Sequence, residues 1–548
     1  MALNHVYAHF YSVHSDSDKL DAYDFKKVEV MQRMNCYFLR MLLCVFLGLV
    51  AGINISLPLT SLITICSLAV LFASIENCKK PLKQSLLIFL WAFGFVAAST
   101  FWMIIAIYDP VLTPLPTASL VAASLYIFHA FIYAASYYII YKLLLGIHFI
   151  LKLNFKNELL KNKTLLILGF SLSLGFAEII RAQGALAMPW GMIGYTQTSN
   201  PLFLGIYPII GAYGVTAVTA VFGAILALTF LSLKNERLNK PAINYLICLK
   251  MKSKYILFTT IFAILLFSTQ YIDWTLANDK TLRVRVTHTH MPNIQKYDAN
   301  EQVRSLQKII SLSSMNDVDL TVYSELYLVK PAHGIDKQSR RQIVDSVIAT
   351  KNTQLFGIPD HEIDADGTTL GSLNVMLQID EFGQTKRYSK EILLPFSEYM
   401  PSHPLLVWAM PYIFKFPLAD FKSGIHKNTT PLQVKNINLA FSLCNEIAYA
   451  NNIHKHASQA QVLINSASDS WIPNKLYAIH SWQINKVRAI EAQKPIIRSN
   501  NTGYSGYIDA WGNEKAMEYE VESTEKYEIT PRFGNTPYTN LISFLSNI

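Results

Sequence analysis

Charge is scarce in this chain. Only 16% of its 548 residues are Asp, Glu, Lys or Arg, while 51% are hydrophobic. A soluble domain ordinarily carries about a quarter charged residues, so the deficit excludes an ordinary soluble enzyme and points to a bilayer. Cysteine is scarcer still. Cys36, Cys44, Cys66, Cys78 and Cys248 all precede residue 273, and Cys444 stands alone after it. A lone thiol excludes an intramolecular disulfide in the C-terminal half, leaving Cys444 as either a small core hydrophobe or a nucleophile. A cleavable signal is also lacking: the first 35 residues hold "SDSDKLDAYDFKK", too charged for one. The histidines of "NHVYAHFYSVH" read as a solvated segment rather than a metal site.

Long apolar runs, by contrast, are abundant and confined to residues 38–272. About seven, at 38–56, 58–76, 84–108, 118–145, 164–181, 202–232 and 255–272, approach the ~20 residues that a bilayer requires. The loops between them alternate in charge. "NCKKPLK" (77–83), "LKLNFKNELLKNK" (151–163) and "LKNERLNKPAINYLICLKMKSK" (233–254) are rich in Lys and Arg. The loops at 109–117 and 182–201 hold only Arg181, at the edge of the latter. Basic loops stay in the cytoplasm, so an odd number of spans delivers residues 273–548 to the outer side. The expected organisation is a cytoplasmic segment 1–37, a transmembrane domain 38–272 of about seven helices, and a periplasmic domain 273–548. The net charge of +9 is then mostly a topology signal and implies no nucleic-acid partner.

From residue 281 the pattern changes to alternating strands and helices. "LRVRVTHTH" (282–290), "VDLTVYSEL" (318–326), "TQLFGIPDHE" (353–362), "LNVMLQIDEFGQTKRYSK" (373–390) and "INLAFSLCNE" (437–446) read as strands. "NEQVRSLQKIISLSS" (300–314) and "KLYAIHSWQINKVRAIEAQK" (475–494) read as helices, and "PIIRSNNTGYSGYIDAWG" (495–512) as a strand containing a turn. Such interleaving predicts an α/β domain or an α-β-β-α sandwich. Three ionisable residues follow strands: Glu325, Lys390 and Cys444. A carboxylate, an ammonium and a thiol together suffice for acyl transfer: base, oxyanion partner and nucleophile. His288 and His290 have no Cys or Asp cluster beside them, so no metal site is expected.

"YSEL", "YSKEILLPFSEYMP" and "CNE" resemble the Glu, Lys and Cys motifs of the nitrilase superfamily. The form "KEILLPFSEYMP" is similar to that of its membrane branch, the apolipoprotein N-acyltransferases. "SDSW", "KVRAIEAQKPIIRSNNTGYSGYIDAWG", "TPY" (536–538) and the membrane segment "AEIIRAQGALAMPWGMIGYTQTSNPLFLGIYPIIGAYG" (177–214) fit the same branch. The resemblance implies a multi-span helical domain joined to a nitrilase-like α/β domain in the bacterial inner membrane. It implies a Cys444 thioester formed from a membrane phospholipid and resolved by the N-terminal amine of a diacylglyceryl-modified apolipoprotein. Glu325 would be the base and Lys390 the oxyanion partner, with Glu398 and Glu446 supporting. Asn445, Tyr297, Trp190, Tyr195 and Trp471 would contact substrate, and neither cofactor nor metal would be required.

Four positions depart from the family pattern: Ser324 for a proline, Asn445 for an aromatic residue, Tyr297 for a tryptophan, and "THTHMPN" where the family has Gln-Gly-Asn. "TPYTNLISFLSNI" holds too few apolar residues to span, whereas the family closes with a further membrane helix. The resemblance therefore extends to a divergent paralogue. The alternatives are a thioester acyltransferase or amidase for another amine or amide, and a non-catalytic envelope or conjugation accessory protein.

Overall fold

The computed structural model describes residues 22–53, 60–109, 113–151, 158–237, 260–292, 295–363, 366, 368–395, 397–399, 421–425, 427–428 and 431–546. The first half is helical: α1 (Ala22–Ile53), α2 (Thr60–Glu76), α3 (Pro81–Ser99), α4 (Trp102–Ile107), α5 (Leu115–Leu151), α6 (Glu158–Arg181), α7 (Pro201–Leu204), α8 (Tyr207–Arg237) and α9 (Thr260–Tyr271). Four stretches are long and apolar enough to cross a bilayer: Pro81–Ser99, Leu115–Ile150, Lys163–Arg181 and Tyr207–Leu231. The three other expected spans coincide with shorter apolar helices, Tyr37–Ile53, Thr60–Glu76 and Thr260–Tyr271, each bordering residues outside the described set. Of the expected N-terminal segment 1–37, residues 1–21 lie outside the described residues and the remainder already belongs to α1.

Two expected spans are broken. The run 84–108 stops at Ser99, where the Ser99 and Thr100 hydroxyls both donate to the Val96 carbonyl. Side chains that return to the backbone in this way compete with helix continuation. The run 202–232 divides into α7 and α8, and α8 itself is interrupted at Gly211, whose φ is +64°. That left-handed conformation is open to glycine at little cost. Between α6 and α7 the chain folds back through a 3-10 turn, Ile193–Gln197. Glu178 and Arg181, both fully buried, hold it there: Glu178 accepts from the Ile193 amide at 2.6 Å, and Arg181 donates to the Trp190 carbonyl at 3.0 Å. Tyr133 joins the two, accepting from Arg181 and donating to Glu178. Polar groups buried among apolar helices need internal partners, and among the described residues the protein itself supplies them to every polar atom of the Glu178–Arg181 pair but Arg181 Nε.

The second half is an α-β-β-α sandwich. After a short strand β1 (Leu276–Ala277), the longer strands make two six-stranded sheets, whose outer members include β7 (Leu432–Val434), β11 (Gly506–Ile508), β12 (Glu514–Ala516) and β13 (Ser523–Ile529). In the first, β2 (Leu282–His288), β3 (Leu320–Val322) and β4 (Thr353–Ile363) are parallel, while β5 (Thr369–Ile379) and β6 (Thr385–Ser389) form an antiparallel meander. In the second, β8 (Ile437–Leu443), β9 (Val462–Ala467) and β10 (Ile496–Asn500) are parallel. Val284, Val286, Leu320, Val322, Phe441, Ile464 and Ile497 fill the space between the sheets. Helices α10 (Ala299–Ser313) and α11 (Lys337–Thr350) cover the first sheet. Helices α12 (Ala450–Ala457) and α13 (Lys475–Ala492) cover the second, and their buried residues are continuous with the core of the helical half. A last helix, α14 (Pro537–Ser546), packs against α12 and α8.

Two elements differ from the pattern expected of the sequence. Residues 373–390 are a hairpin rather than one strand, because Asp380 accepts from the Phe382 and Gln384 amides and closes a turn. The strand ending in "FSLCNE" stops at Leu443; Cys444 opens a 3-10 turn, Cys444–Ala448.

Candidate active site

Glu325, Lys390 and Cys444 come from three strand ends and two different sheets, and the sandwich brings them together. Glu325 lies just past β3. Its neighbour Leu326 has φ +46°, and Gly357 of β4 permits close passage: a Cβ there would sit 2.7 Å from the Glu325 Cα. Lys390 directly follows β6 and its amide still pairs with the Asn374 carbonyl of β5. Its ammonium donates to Glu325 Oε1 at 3.1 Å and to Glu398 Oε1 at 2.7 Å, with both Lys390 and Glu325 almost wholly buried. Burial alone would lower the Lys390 pKa, but Glu325 and Glu398 outweigh it and hold the lysine well above its ordinary value.

Cys444 has φ +51°, an uncommon conformation for a residue with a side chain. Such strain persists only where surroundings over-determine it. They do so here: the Asn465 amide donates to the Cys444 carbonyl at 3.3 Å, and Glu446 closes the turn by accepting from the Leu443 amide at 2.6 Å. The other Glu446 oxygen accepts from the Glu391 and Ile392 amides at 2.6 and 2.9 Å, tying the Cys444 turn to the loop that carries Lys390. Burial pushes the Glu446 pKa up to about 7 against these donors. The Cys444 thiol is itself held up, by burial and by the Glu325 carboxylate, while Lys390 acts in the opposite sense. At rest the sulfur keeps its proton, so attack on a carbonyl requires a base at that moment.

Three participants escaped the sequence reading. Asn374, within β5, donates to Glu325 Oε1 at 2.7 Å and to Glu398 Oε1 at 3.3 Å. Lys296 is 3% exposed and donates to Ser468 Oγ at 2.6 Å and to the Glu325 carbonyl at 3.4 Å. Burial depresses its pKa to about 8, against the Glu325, Cys444 and Asp469 charges. Asp469, raised by burial, accepts from Arg498 and Asn500. The available signal was a polar residue inside an apolar strand for Asn374, and adjacency to Tyr297 for Lys296.

The expected substrate contacts divide. Asn445 is buried beside Cys444 with neither amide atom partnered among the described residues, and the Ser324 hydroxyl next to Glu325 is likewise unpartnered. Tyr297 and Trp471 are exposed, on the loops that carry Lys296 and Asp469. Trp190 is buried against Trp102 and Tyr477 with ring centroids 5.2 and 5.1 Å apart, and Tyr477 lies within electrostatic reach of Cys444. Tyr195 is buried in the seam between the halves, its hydroxyl donating to the Pro189 carbonyl and accepting from Arg488. Among the described residues no cluster of three His, Cys, Asp or Glu could hold a metal ion.

The sandwich that carries this thiol, carboxylate and ammonium is a carbon-nitrogen hydrolase domain, whose model matches residues 285–523. The helical half is more particular: the model for the apolipoprotein N-acyltransferase N-terminal domain matches residues 47–225. Matched by both models, one in each half, the chain resembles the apolipoprotein N-acyltransferases. It is similar to the apolipoprotein N-acyltransferases of Pseudomonas aeruginosa (27% identity, 87% of both chains) and Haemophilus influenzae (26%, 84% of both). That of Methylococcus capsulatus is 26% identical over 69% of this chain and 70% of its own.

Proposed function

We propose that the protein transfers an acyl chain from a membrane phospholipid, through a thioester on Cys444, to the N-terminal amine of a diacylglyceryl-modified apolipoprotein. Residues 38–272 form the membrane domain and 273–548 the catalytic domain. The basic loops support a periplasmic position for that domain, at the inner membrane. One observation carries the reading: the buried Lys390 ammonium bridges Glu325 and Glu398, and the part-buried Cys444, from a third strand end, lies within electrostatic reach of all three.

In the first half-reaction Glu325 takes the Cys444 proton as the sulfur attacks the ester carbonyl. The tetrahedral oxyanion forms beside the Lys390 ammonium, an electrostatic gain made in the transition state. Collapse breaks the C–O bond, Glu325 returns the proton to the departing oxygen, and a lysophospholipid leaves. In the second, Glu325 takes a proton from the acceptor amine as it attacks the thioester. The C–S bond breaks, and the thiol is restored as the amide leaves. Glu398 and Asn374 hold Lys390 and Glu325 in register, and Glu446 fixes the turn. The unpartnered Asn445 amide, with Tyr297, Trp471 and Trp190, is offered to substrate.

The test is complementation of cells depleted of their own apolipoprotein N-acyltransferase, with lipoprotein N-termini read by mass spectrometry. N-acylated lipoprotein with the wild type, and none with Cys444→Ala, is the expected result. A well-expressed wild type that leaves the N-termini free would sink the proposal.

A further inference from the structure

The seam between the two halves converges on two side chains of α13 that lie outside the catalytic cluster. Glu491 is fully buried. It accepts from the Ala212 amide at 2.7 Å and from His454 Nε2–H at 2.9 Å, and it pairs with Arg488. The Ala212 amide is available because Gly211 interrupts α8 just before it, and a Cβ at Gly211 would lie 2.2 Å from the Tyr538 ring of α14. His454 continues the chain of contacts to α14, its Nδ1 meeting Thr539 Oγ1 at 3.0 Å.

Arg488, 1% exposed, faces the other way. Its Nη2 donates to the Tyr195 hydroxyl at 2.9 Å, on the folded-back turn of the helical half. The same guanidinium donates to the carbonyls of Ile447 and Ala448, each at 2.9 Å. Those carbonyls close the 3-10 turn that Cys444 opens. One planar cation therefore holds the nucleophile's turn and the membrane segment together, and its counter-ion holds the break in α8.

We propose that Arg488 and Glu491 are positioning residues for Cys444, forming a strut through which the helical half sets the place of the nucleophile. A buried ion pair costs desolvation and is weak support for stability, whereas a guanidinium's rigid fork fixes the directions of the groups it binds. The strut spends its charge on direction. Displacing the turn moves the thiol relative to Lys390 and Glu325, and misplacement by about 1 Å costs a reacting pair on the order of a hundredfold. The proposal rests on Cys444 being the nucleophile.

The test uses the full chain in detergent, with iodoacetamide as a small soluble probe and Cys444 alkylation read at the peptide level across pH. Arg488→Lys keeps the charge but not the fork, Glu491→Gln removes the counter-ion, and Tyr195→Phe deletes a single cross-half bond. Alkylation of Cys444 is expected to slow on the order of tenfold in the first two and several-fold in Tyr195→Phe, with the pH midpoint shifted upward as the thiol loses Lys390. Phospholipid acyl transfer should lose kcat with KM unchanged. If Arg488→Lys does not fold, Tyr195→Phe and Glu491→Gln decide. Folded variants alkylated at the wild-type rate and pH dependence would overturn the strut, leaving those residues merely structural. Altered alkylation in a chain whose wild type transfers no acyl group would retain the strut while removing the proposed function.

Discussion

Cys444 keeps its proton at rest, and the nearest carboxylate, Glu325, is bound by Lys390 and Asn374 rather than solvated. As the proposed base, Glu325 would act from a fixed position, and general-base catalysis contributes about 10²–10⁴-fold. Glu325→Gln preserves the shape and deletes the base. Thioester formation, followed by intact-mass detection of the acyl-enzyme, should slow by about that factor. Lys296 supports a pH prediction. Its folded-state pKa of about 8 lies below the 10.5 of an unperturbed lysine, so between these values the unfolded chain binds more protons and this residue's contribution to stability rises with pH. Below about pH 8 the buried charge is pure cost. Lys296→Met is expected to melt higher than wild type at pH 7, with the advantage shrinking by pH 10, measured by thermal unfolding at both. At this scale Glu325, Lys390 and Cys444 were legible because each is ionisable and follows a strand. Lys296 and Asn374 were not, because their part depends on burial and on partners far away in the chain.

Among the elements, the turn after β8 is held chiefly by one carboxylate. Glu446 satisfies the Leu443, Glu391 and Ile392 amides, and an unsatisfied buried donor costs about 1–3 kcal/mol. Glu446→Ala should lower stability by at least that much and slow Cys444 acylation, read by thermal unfolding and intact mass. Gly211 is the second fixed point. Any side chain there meets both a left-handed φ and the Tyr538 ring, so Gly211→Val should release α14, seen as faster proteolysis after residue 536. Periodicity found most helices and strands. It missed the breaks at Ser99 and Gly211 and the hairpin at Asp380, which arise from side-chain bonds and local φ rather than from hydrophobic pattern.

At the level of the whole molecule, the outer face of α13 is not a surface. Tyr477, Trp482, Ile484 and Val487 share one buried cluster with Trp102, Trp190 and Tyr207 of the helical half. Residues 273–548 expressed alone would expose that face, and large exposed apolar patches aggregate. The fragment should elute as aggregate in size-exclusion chromatography without detergent, while the full chain in detergent stays monodisperse. Orientation has its own check: protease added to spheroplasts should digest the α/β half, and protection of it would reverse the proposed topology.

Composition and order of residues alone determined that the chain has a membrane half and an α/β half, which loops are basic, and which three ionisable residues end strands. Those are local properties, written in hydropathy, period and charge. Only the tertiary structure decided that Lys390 lies between two carboxylates, that Lys296 and Asn374 join them, and that Arg488 reaches from Tyr195 to the turn of Cys444. The physical reason is the same in each case. Hydrogen bonds between residues tens to hundreds of positions apart exist only after two sheets have stacked and a helix layer has closed against the membrane bundle.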